Sequence, residues 1–186
     1  MTKTIVSLVL MAVVALTSVE CRNGVKHEHV ALAESATKLQ QSNWNVQGTV
    51  NLVKQFEGLS LTAYICPAGV LTIGYGHTGA DVYSGMRITT AQAESYLATD
   101  LQKFANTVNA AVLVPLNANQ RGSLVSFTYN VGGGNLRSST LLKRLNAGES
   151  PNTVASEEMP RWNKGGGVVL PGLVRRRTAE VAFFKS

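Results

Sequence analysis

Three side chains between residues 57 and 72 are of types that can perform acid–base chemistry together. Eight residues separate Glu57 from Cys66, and five separate Cys66 from Thr72. A carboxylic acid can protonate a leaving group, a thiolate can act as a nucleophile or base, and a hydroxyl can orient water. The set predicts a catalytic cleft in which one acid faces two small hydrogen-bonding side chains.

The elements around these residues predict how they are positioned. Residues 46–56 carry apolar side chains at helical spacing and lead directly to the acid. Two short apolar runs follow, at residues 61–65 and 70–76, and a Pro-Ala-Gly turn at residues 67–69 separates them. This arrangement is typical of a β-hairpin, which would carry the thiol and the hydroxyl.

The rest of the chain predicts helices. A long helix is expected to begin at Thr89, because Thr is a favoured N-cap residue. A second helix opens near Asn117 and is broken by the glycines at 132–134. A third follows Ser139, and a last one covers residues 175–184. A hairpin followed by helices predicts an α+β fold: a small hairpin lobe and a larger helical lobe, joined by the long helix, with the cleft between them.

Several separated blocks of the sequence together resemble one enzyme family. FEGLSLTAY begins at Phe56, TIGYGHTG at Thr72, QRGSLVSFTYNVG at Gln120, STLLKRLNAG at Ser139 and PGLVRRRTAE at Pro171. These blocks are similar to those of the phage lysozymes, or endolysins, of glycoside hydrolase family 24. The resemblance covers about residues 50 to 184 and implies a lysozyme-like fold.

The resemblance also implies roles for individual residues. Glu57 would be the general acid, and Thr72 would help to position the attacking water. The family usually has Asp where this chain has Cys66, a departure shared with a subset of membrane-secreted endolysins. Because Phe56 and Leu59 flank the acid, an apolar setting that favours its protonated form is expected. Cys66 matches an Asp only as a thiolate, or acts as a weak nucleophile or base.

The implied function is hydrolysis of the β-1,4 bond between N-acetylmuramic acid and N-acetylglucosamine in bacterial peptidoglycan, for lysis of the host cell. Two alternatives stay open. One is a lytic transglycosylase, which uses one Glu and leaves an anhydro-sugar end. The other is a catalytically inactive protein that binds the wall or disrupts membranes, which the replacement of Asp by Cys66 keeps open.

Further residues are expected near the site. Tyr75 and Asn130 are candidates for contacting substrate. His77 is expected to pair with an acid as a structural residue, and Trp162 to pack in the core near the site. The arginines at 175–177, of which Arg175 is placed near the site, would form a solvated, ion-paired helix face; pairing with Glu57 or contact with anionic wall polymer are the alternatives.

The sequence of the N-terminal region predicts that the protein is exported. Residues 5–19 form an uncharged, mostly apolar run after Lys3, and its helix would rise about 22 Å, short of a bilayer core of about 30 Å. We interpret residues 1–22 as a signal-anchor or signal-peptide-like segment, 23–45 as a linker or peripheral helix, and 46–186 as the catalytic domain. The resemblance implies tethering to the inner membrane and later release into the periplasm. A buried helix of a cytosolic domain is the alternative.

The chain has two cysteines, so one intramolecular disulfide is possible, between Cys21 and Cys66. Export would place it in an oxidising compartment. We hypothesise that this bond occupies the catalytic position and keeps the tethered enzyme inactive until it is reduced. A purely structural disulfide and two free thiols remain alternatives.

Charge and composition limit the partners. The net charge of +6 and pI of about 9.6 favour an anionic partner such as nucleic acid, a membrane surface or cell wall. No sequence pattern of a nucleic-acid module is present. His27 and His29 flank a single acid, too few ligands for a metal site. We therefore expect a monomer that acts on peptidoglycan without a metal or cofactor.

Overall fold

The computed structural model describes residues 43–66 and 69–186. The proposed anchor, Cys21 and the first two residues of the predicted turn at 67–69 lie outside the described residues. Within the described part of the chain, no helix has the length and apolar character needed to cross a bilayer.

The predicted helix and hairpin at the start of the domain are confirmed. Helix α1 spans Val46–Phe56, and its N-cap Asn45 accepts a hydrogen bond from the Gly48 amide. Strands β1 (Ser60–Ile65) and β2 (Leu71–Gly74) pair antiparallel. The cross-strand partner of Thr72 is Tyr64, and the ladder is irregular nearer its other end. Only three residues, 57–59, therefore separate the end of α1 from the start of the hairpin.

The long helix is also confirmed. Helix α2 spans Thr90–Ala111, and Thr89 forms a capping box with Gln92 that satisfies two backbone amides. Its buried apolar residues recur every three or four positions, so one stripe faces the core. This stripe consists of Ala93, Leu97, Leu101, Ala105 and Val108. The helix packs against both β2 and the next helix, so it joins the two lobes.

Helix α3, which spans Ala118–Val131, lies at the centre of the helical lobe. It is buried continuously from Gly122 to Thr128, and it packs against α1, α2 and the C-terminal helix. A methyl group at Gly122 would lie only 2.5 Å from Thr49 Oγ1, so the two helices approach closely because this side chain is absent. The expected core residues Leu124 and Phe127 are fully buried here.

The region after α3 corrects the sequence prediction in two places. Gly132 has φ of +88° and ends α3, but the glycines that follow it begin helix α4, Gly133–Ser138. The predicted break is therefore a single residue. Beyond helix α5 (Thr140–Asn146), helix α6 (Pro151–Glu158) was not predicted.

The chain reaches its C terminus through short elements and one long helix. A 3₁₀ turn spans Met159–Arg161, and the predicted glycine loop is a small hairpin of β3 (Lys164–Gly165) and β4 (Val168–Val169). Helix α7 covers Pro171–Lys185, begins four residues earlier than predicted and packs against α3. The α+β arrangement predicted from the sequence is confirmed.

Candidate active site

Glu57 lies where α1 ends and the chain turns towards the hairpin. It is the C-cap residue, with extended backbone dihedrals and an amide that still donates to the Val53 carbonyl. Its side chain is 25% exposed, and Oε1 lies 2.5 Å from Nη1 of Arg176. A pocket of about 350 Å³ opens beside it. Residues lining this pocket include Glu57, Asn130, Leu173, Arg175 and Arg176.

This contact corrects the expectation of an apolar setting for Glu57. Phe56 does lie near the acid, but the Arg176 guanidinium lies above the Phe56 ring, 5.9 Å from its centre, and reaches the carboxylate. The reason is tertiary, because Arg176 arrives from α7, 119 residues later in the chain. A charged partner, rather than neighbouring apolar residues, therefore holds the acid.

The arginines of α7 are a second correction. Arg175 is exposed at the pocket, whereas Arg176 and Arg177 are only 3% and 1% exposed, so the predicted solvated face is wrong for these two. Both contact Glu180, which is fully buried one turn later on the same helix. Burial raises the pKa of Glu180 and lowers that of Arg177 to about 10. The pairing offsets part of the cost of taking these charges out of water.

Asn130 connects the Glu57 pocket to a second one. It is exposed near the end of α3, and its Oδ1 accepts a 2.7 Å hydrogen bond from Nη2 of Arg177. The second pocket has a volume of about 400 Å³ and is lined by Asn130, Asn135, Arg161, Trp162 and Lys164, among others. Trp162 is half-buried, and its ring meets Phe127 edge-on at 5.7 Å. The indole therefore packs on the core and also forms part of the pocket wall.

Cys66 and Thr72 lie at the turn end of the hairpin. Cys66 is half-buried, and its amide donates to the Val70 carbonyl at 2.9 Å. The Thr72 side chain is almost fully buried, and its hydroxyl donates to the same carbonyl at 3.0 Å. Neither residue is among those that line the Glu57 pocket. The hairpin thus brings these two residues together, and Glu57 lies across the hairpin's other end.

Gly76 and Tyr129 mark the place where that other end meets the acid. The Tyr129 hydroxyl donates a 2.8 Å hydrogen bond to the Tyr75 carbonyl. A side chain at Gly76, where φ is +100°, would lie 3.5 Å from this hydroxyl and 4.0 Å from Glu57 Oε2. Gly76 and Tyr129 also line a third pocket of about 290 Å³. Glu57 therefore lines the first pocket, which shares Asn130 with the second, and Gly76 brings the wall of the third close to its Oε2 atom.

His77 and Tyr75 are held by packing and hydrogen bonds, and neither residue lines one of the three pockets. The His77 Nδ1 atom lies 2.6 Å from Asp100 Oδ2, its Nε2 lies 3.2 Å from Asp81, and its ring stacks on Tyr96 at 4.2 Å. Tyr75 is only 9% exposed and lines none of the three pockets, so its ring is poorly placed to stack on a sugar. The Tyr75 carbonyl accepts the hydrogen bond from Tyr129.

Comparison with known proteins identifies the family. The family described as phage lysozyme matches residues 54–180, which is more than half of the chain. This chain belongs to the phage lysozyme family. It is 50% identical over 142 residues to the endolysin of Bacillus phage PZA, and the match covers 75% of this chain. The chain spans about half (54%) of that endolysin's length.

Two further relatives of this phage lysozyme match over most of their own length. A SAR-endolysin of Bacteriophage PS119 is 40% identical over 124 residues, which cover 67% of this chain and 73% of the relative. The solved muramidase domain of SpmX from Asticaccaulis excentricus superposes with a TM-score of 0.70 at 36% identity and covers 77% of this chain and 99% of that domain. The lysozyme-like fold expected from the sequence is therefore confirmed.

Sequence reasoning missed three residues near the candidate site, Gly76, Tyr129 and Glu180, and gave the pairing of the 175–177 arginines with Glu57 only as an alternative. Gly76 and Tyr129 lie inside the matched blocks and could have been considered there, since a positive-φ glycine often marks close approach of the backbone. The pairing of Arg176 with Glu180 had a weaker signal, their spacing of four on a helix. Within residues 43–66 and 69–186, no cluster of three or more His, Cys, Asp or Glu side chains could hold a metal ion.

Proposed function

We propose that this phage lysozyme hydrolyses the β-1,4 bond between N-acetylmuramic acid and N-acetylglucosamine in peptidoglycan, with Glu57 as the general acid. One observation carries the proposal: the half-buried carboxylate lies in the wall of a pocket lined by residues of α1, α3 and the start of α7, where a buried arginine holds it. The names of relatives, endolysin and muramidase domain, support the same reaction class.

The acid step fits the two oxygens of Glu57. Glycoside hydrolysis needs a carboxylic acid that protonates the leaving oxygen while an oxocarbenium-like transition state develops. Arg176 contacts Oε1, whereas Oε2 faces Gly76, where the absence of a side chain leaves room for a substrate atom. We assign proton donation to Oε2. Arg176 also contacts Glu180, so Glu57 is not its only counter-charge.

Cys66 and Thr72 are proposed to handle the attacking water. Thr72 donates its hydroxyl proton to the Val70 carbonyl, so its oxygen lone pairs are directed to accept a hydrogen bond from water. Cys66 lies beside it and, as a thiolate, would stabilise positive charge on the sugar or activate the water.

Substrate contacts are proposed along the pockets. Asn130 belongs to two of them, and its Oδ1 accepts a hydrogen bond from Arg177, so its amide nitrogen can donate to a polar sugar substituent. Trp162 offers an apolar surface, and the exposed Arg161, Lys164 and Arg175 offer positive charge to an anionic wall polymer.

We further propose that residues 5–19 tether the enzyme to the inner membrane before its release, and that a Cys21–Cys66 bond controls it there. The SAR-endolysin relative and the apolar run itself support export. Thiol titration of the membrane-bound protein tests the redox control. Two titratable thiols in the membrane-bound, inactive protein would rule it out.

The activity is tested by mass spectrometry of the soluble products that the 186-residue chain releases from purified peptidoglycan, with reductant present and with Glu57→Gln as the matched control. We expect fragments with reducing N-acetylmuramic acid ends, absent for the variant. Anhydro ends would indicate a lytic transglycosylase instead. Binding without any product, in wild type and variant alike, would show an inactive wall-binding protein.

A further inference from the structure

Glu180 is a buried carboxylate that takes no direct part in the proposed chemistry. It is fully inaccessible to solvent, and its Oε1 lies 3.1 Å from Arg176 Nε and accepts a 2.8 Å hydrogen bond from the Ser126 hydroxyl. Its Oε2 lies 3.0 Å from Arg177 Nε. One carboxylate therefore holds two adjacent arginines of the same helix.

Each of these arginines extends to one wall of the Glu57 pocket. Arg176 reaches Glu57 with Nη1 at 2.5 Å, and Arg177 reaches Asn130 with Nη2 at 2.7 Å. We propose that Glu180 is a positioning residue that fixes Glu57 through Arg176 and Asn130 through Arg177. This inference rests on the proposed function, since it assigns Glu180 a role only if Glu57 is the acid.

The energetics of the cluster favour a functional over a purely structural role. Buried ion pairs are often no more stabilising than well-packed apolar residues of similar volume, because desolvation offsets the attraction. Here the cost is visible, since Arg177 Nη1 is buried and has no hydrogen-bond partner among the described residues. What apolar residues cannot supply is two guanidinium groups held in fixed directions.

Rigid positioning matters for both walls. A displacement of a catalytic group by about 1 Å can reduce a rate by on the order of a hundredfold. The plane of the Arg176 guanidinium is fixed by contacts to Glu57, to Glu180, to the Ser126 carbonyl and to the Phe56 ring. Without the carboxylate, Nε would lose its partner, and the guanidinium would be free to rotate away from Glu57.

Two serines on α3 provide a matched test. Ser126 and Ser123 are both fully buried, and both donate to Glu180. Ser126 contacts the carboxylate oxygen that Arg176 shares, at 2.8 Å, whereas Ser123 contacts only the backbone carbonyl, at 2.7 Å. We expect Ser126→Ala to lower kcat on soluble peptidoglycan strands by at least about fivefold. Ser123→Ala should stay within about twofold of wild type, with a similar loss of thermal stability.

A double-mutant cycle tests whether Glu180 acts through Arg176. We expect Glu180→Gln to lower kcat by about tenfold or more in the wild type, but by less than about fivefold in an Arg176→Met background, where only the route through Arg177 and Asn130 remains. A merely structural Glu180 would instead lower the melting temperature in both backgrounds and leave kcat per folded molecule unchanged. Should Glu180→Gln fail to fold, the serine pair still decides the question.

The controls separate this inference from the proposed function. If the wild type releases no products, or if Glu57→Gln is as active as wild type, the catalytic assignment fails and the positioning role fails with it. If the wild type is active and Glu57 is required, yet Ser126→Ala and Ser123→Ala have equal kcat, the positioning role alone is overturned.

Discussion

The Tyr129 hydroxyl donates a 2.8 Å hydrogen bond to the Tyr75 carbonyl, 54 residues earlier in the chain. This bond joins the centre of the helical lobe to the end of the hairpin, beside the acid. Burial raises the pKa of Tyr129, and the nearby charge of Glu57 raises it further. The phenol therefore keeps its proton, and remains a donor, throughout the neutral pH range.

Removing this hydroxyl is expected to weaken both the fold and the site. Tyr129→Phe should lower the free energy of unfolding by about 1 kcal/mol, the typical value of one hydrogen bond, and lower the hydrolytic rate because the hairpin end is no longer fixed. Tyr83→Phe is the control, because Tyr83 is exposed. Urea unfolding and initial rates measure the two effects, and equal values for both variants would contradict the prediction.

A methyl group at Gly76 is expected to reduce activity more than its strain alone predicts. Gly76→Ala should cost about 1–2 kcal/mol, because L-residues rarely adopt positive φ, and the methyl would also reach towards Glu57 Oε2. Gly85→Ala is a matched control, since Gly85 has φ of +79° and open space around it. Both variants should lose similar stability, and only Gly76→Ala should lose most of its kcat. A full rate in Gly76→Ala would contradict this.

The His77–Asp100 contact is expected to contribute strongly to stability. Asp100→Ala should lower the free energy of unfolding by about 3 kcal/mol, because it leaves the buried imidazole without its 2.6 Å partner. Removing the exposed Lys54–Glu94 pair with Glu94→Ala should cost less than about 1 kcal/mol. Chemical denaturation at neutral pH measures the free energy of unfolding of both variants. A similar loss of stability in both would show that burial does not determine how much an ion pair contributes.

An ion-pair cluster between α5 and α6 predicts a pH dependence of stability. Hydrogen bonding to Arg144 holds the pKa of Glu149 below its usual value. A carboxyl with a lowered folded-state pKa stabilises the fold above its unfolded pKa of about 4.5, and this contribution disappears as the pH falls through the folded value. Arg144→Met should therefore lower the melting temperature at pH 7, and the difference from wild type should shrink below about pH 4.5.

The neighbouring exposed residue provides the control for this measurement. Lys143→Met removes the same charge from the same helix, without the contacts that Arg144 makes to Glu149, Glu157 and Glu158. Its effect on the melting temperature should be small at every pH. If the melting-temperature difference between Arg144→Met and wild type stays constant down to pH 3, the carboxylates do not cause that difference.

Local signals account for the parts of the fold that the sequence predicted. The helix before Glu57 and the long helix have capping residues, Asn45 and Thr89, whose effect is confined to one turn. The hairpin follows from a turn between two apolar runs. Helix α6 had such a signal as well, because Pro151 occupies a first-turn position, where proline is favoured.

The surroundings of the site depended on contacts between distant residues, and these have no local signal. Nothing in the sequence RRR at 175–177 distinguishes the exposed first arginine from the two buried ones, since only the packing of α7 on α3 decides this. For the same reason, the sequence neighbours Phe56 and Leu59 could not reveal that a charged group contacts Glu57. Whether a polar side chain is buried in this way depends on how the whole core packs.

Glu57 and Arg176 are far apart in the sequence, so the ribosome synthesises the acid well before its guanidinium partner. Residues are added at about 5–20 per second, so the 119 positions from Glu57 to Arg176 take about 6–24 s to synthesise. Throughout this interval the nascent chain carries the acid without the group that holds it. A chain that stalls before α7 therefore lacks the arginine that holds Glu57 in the folded domain.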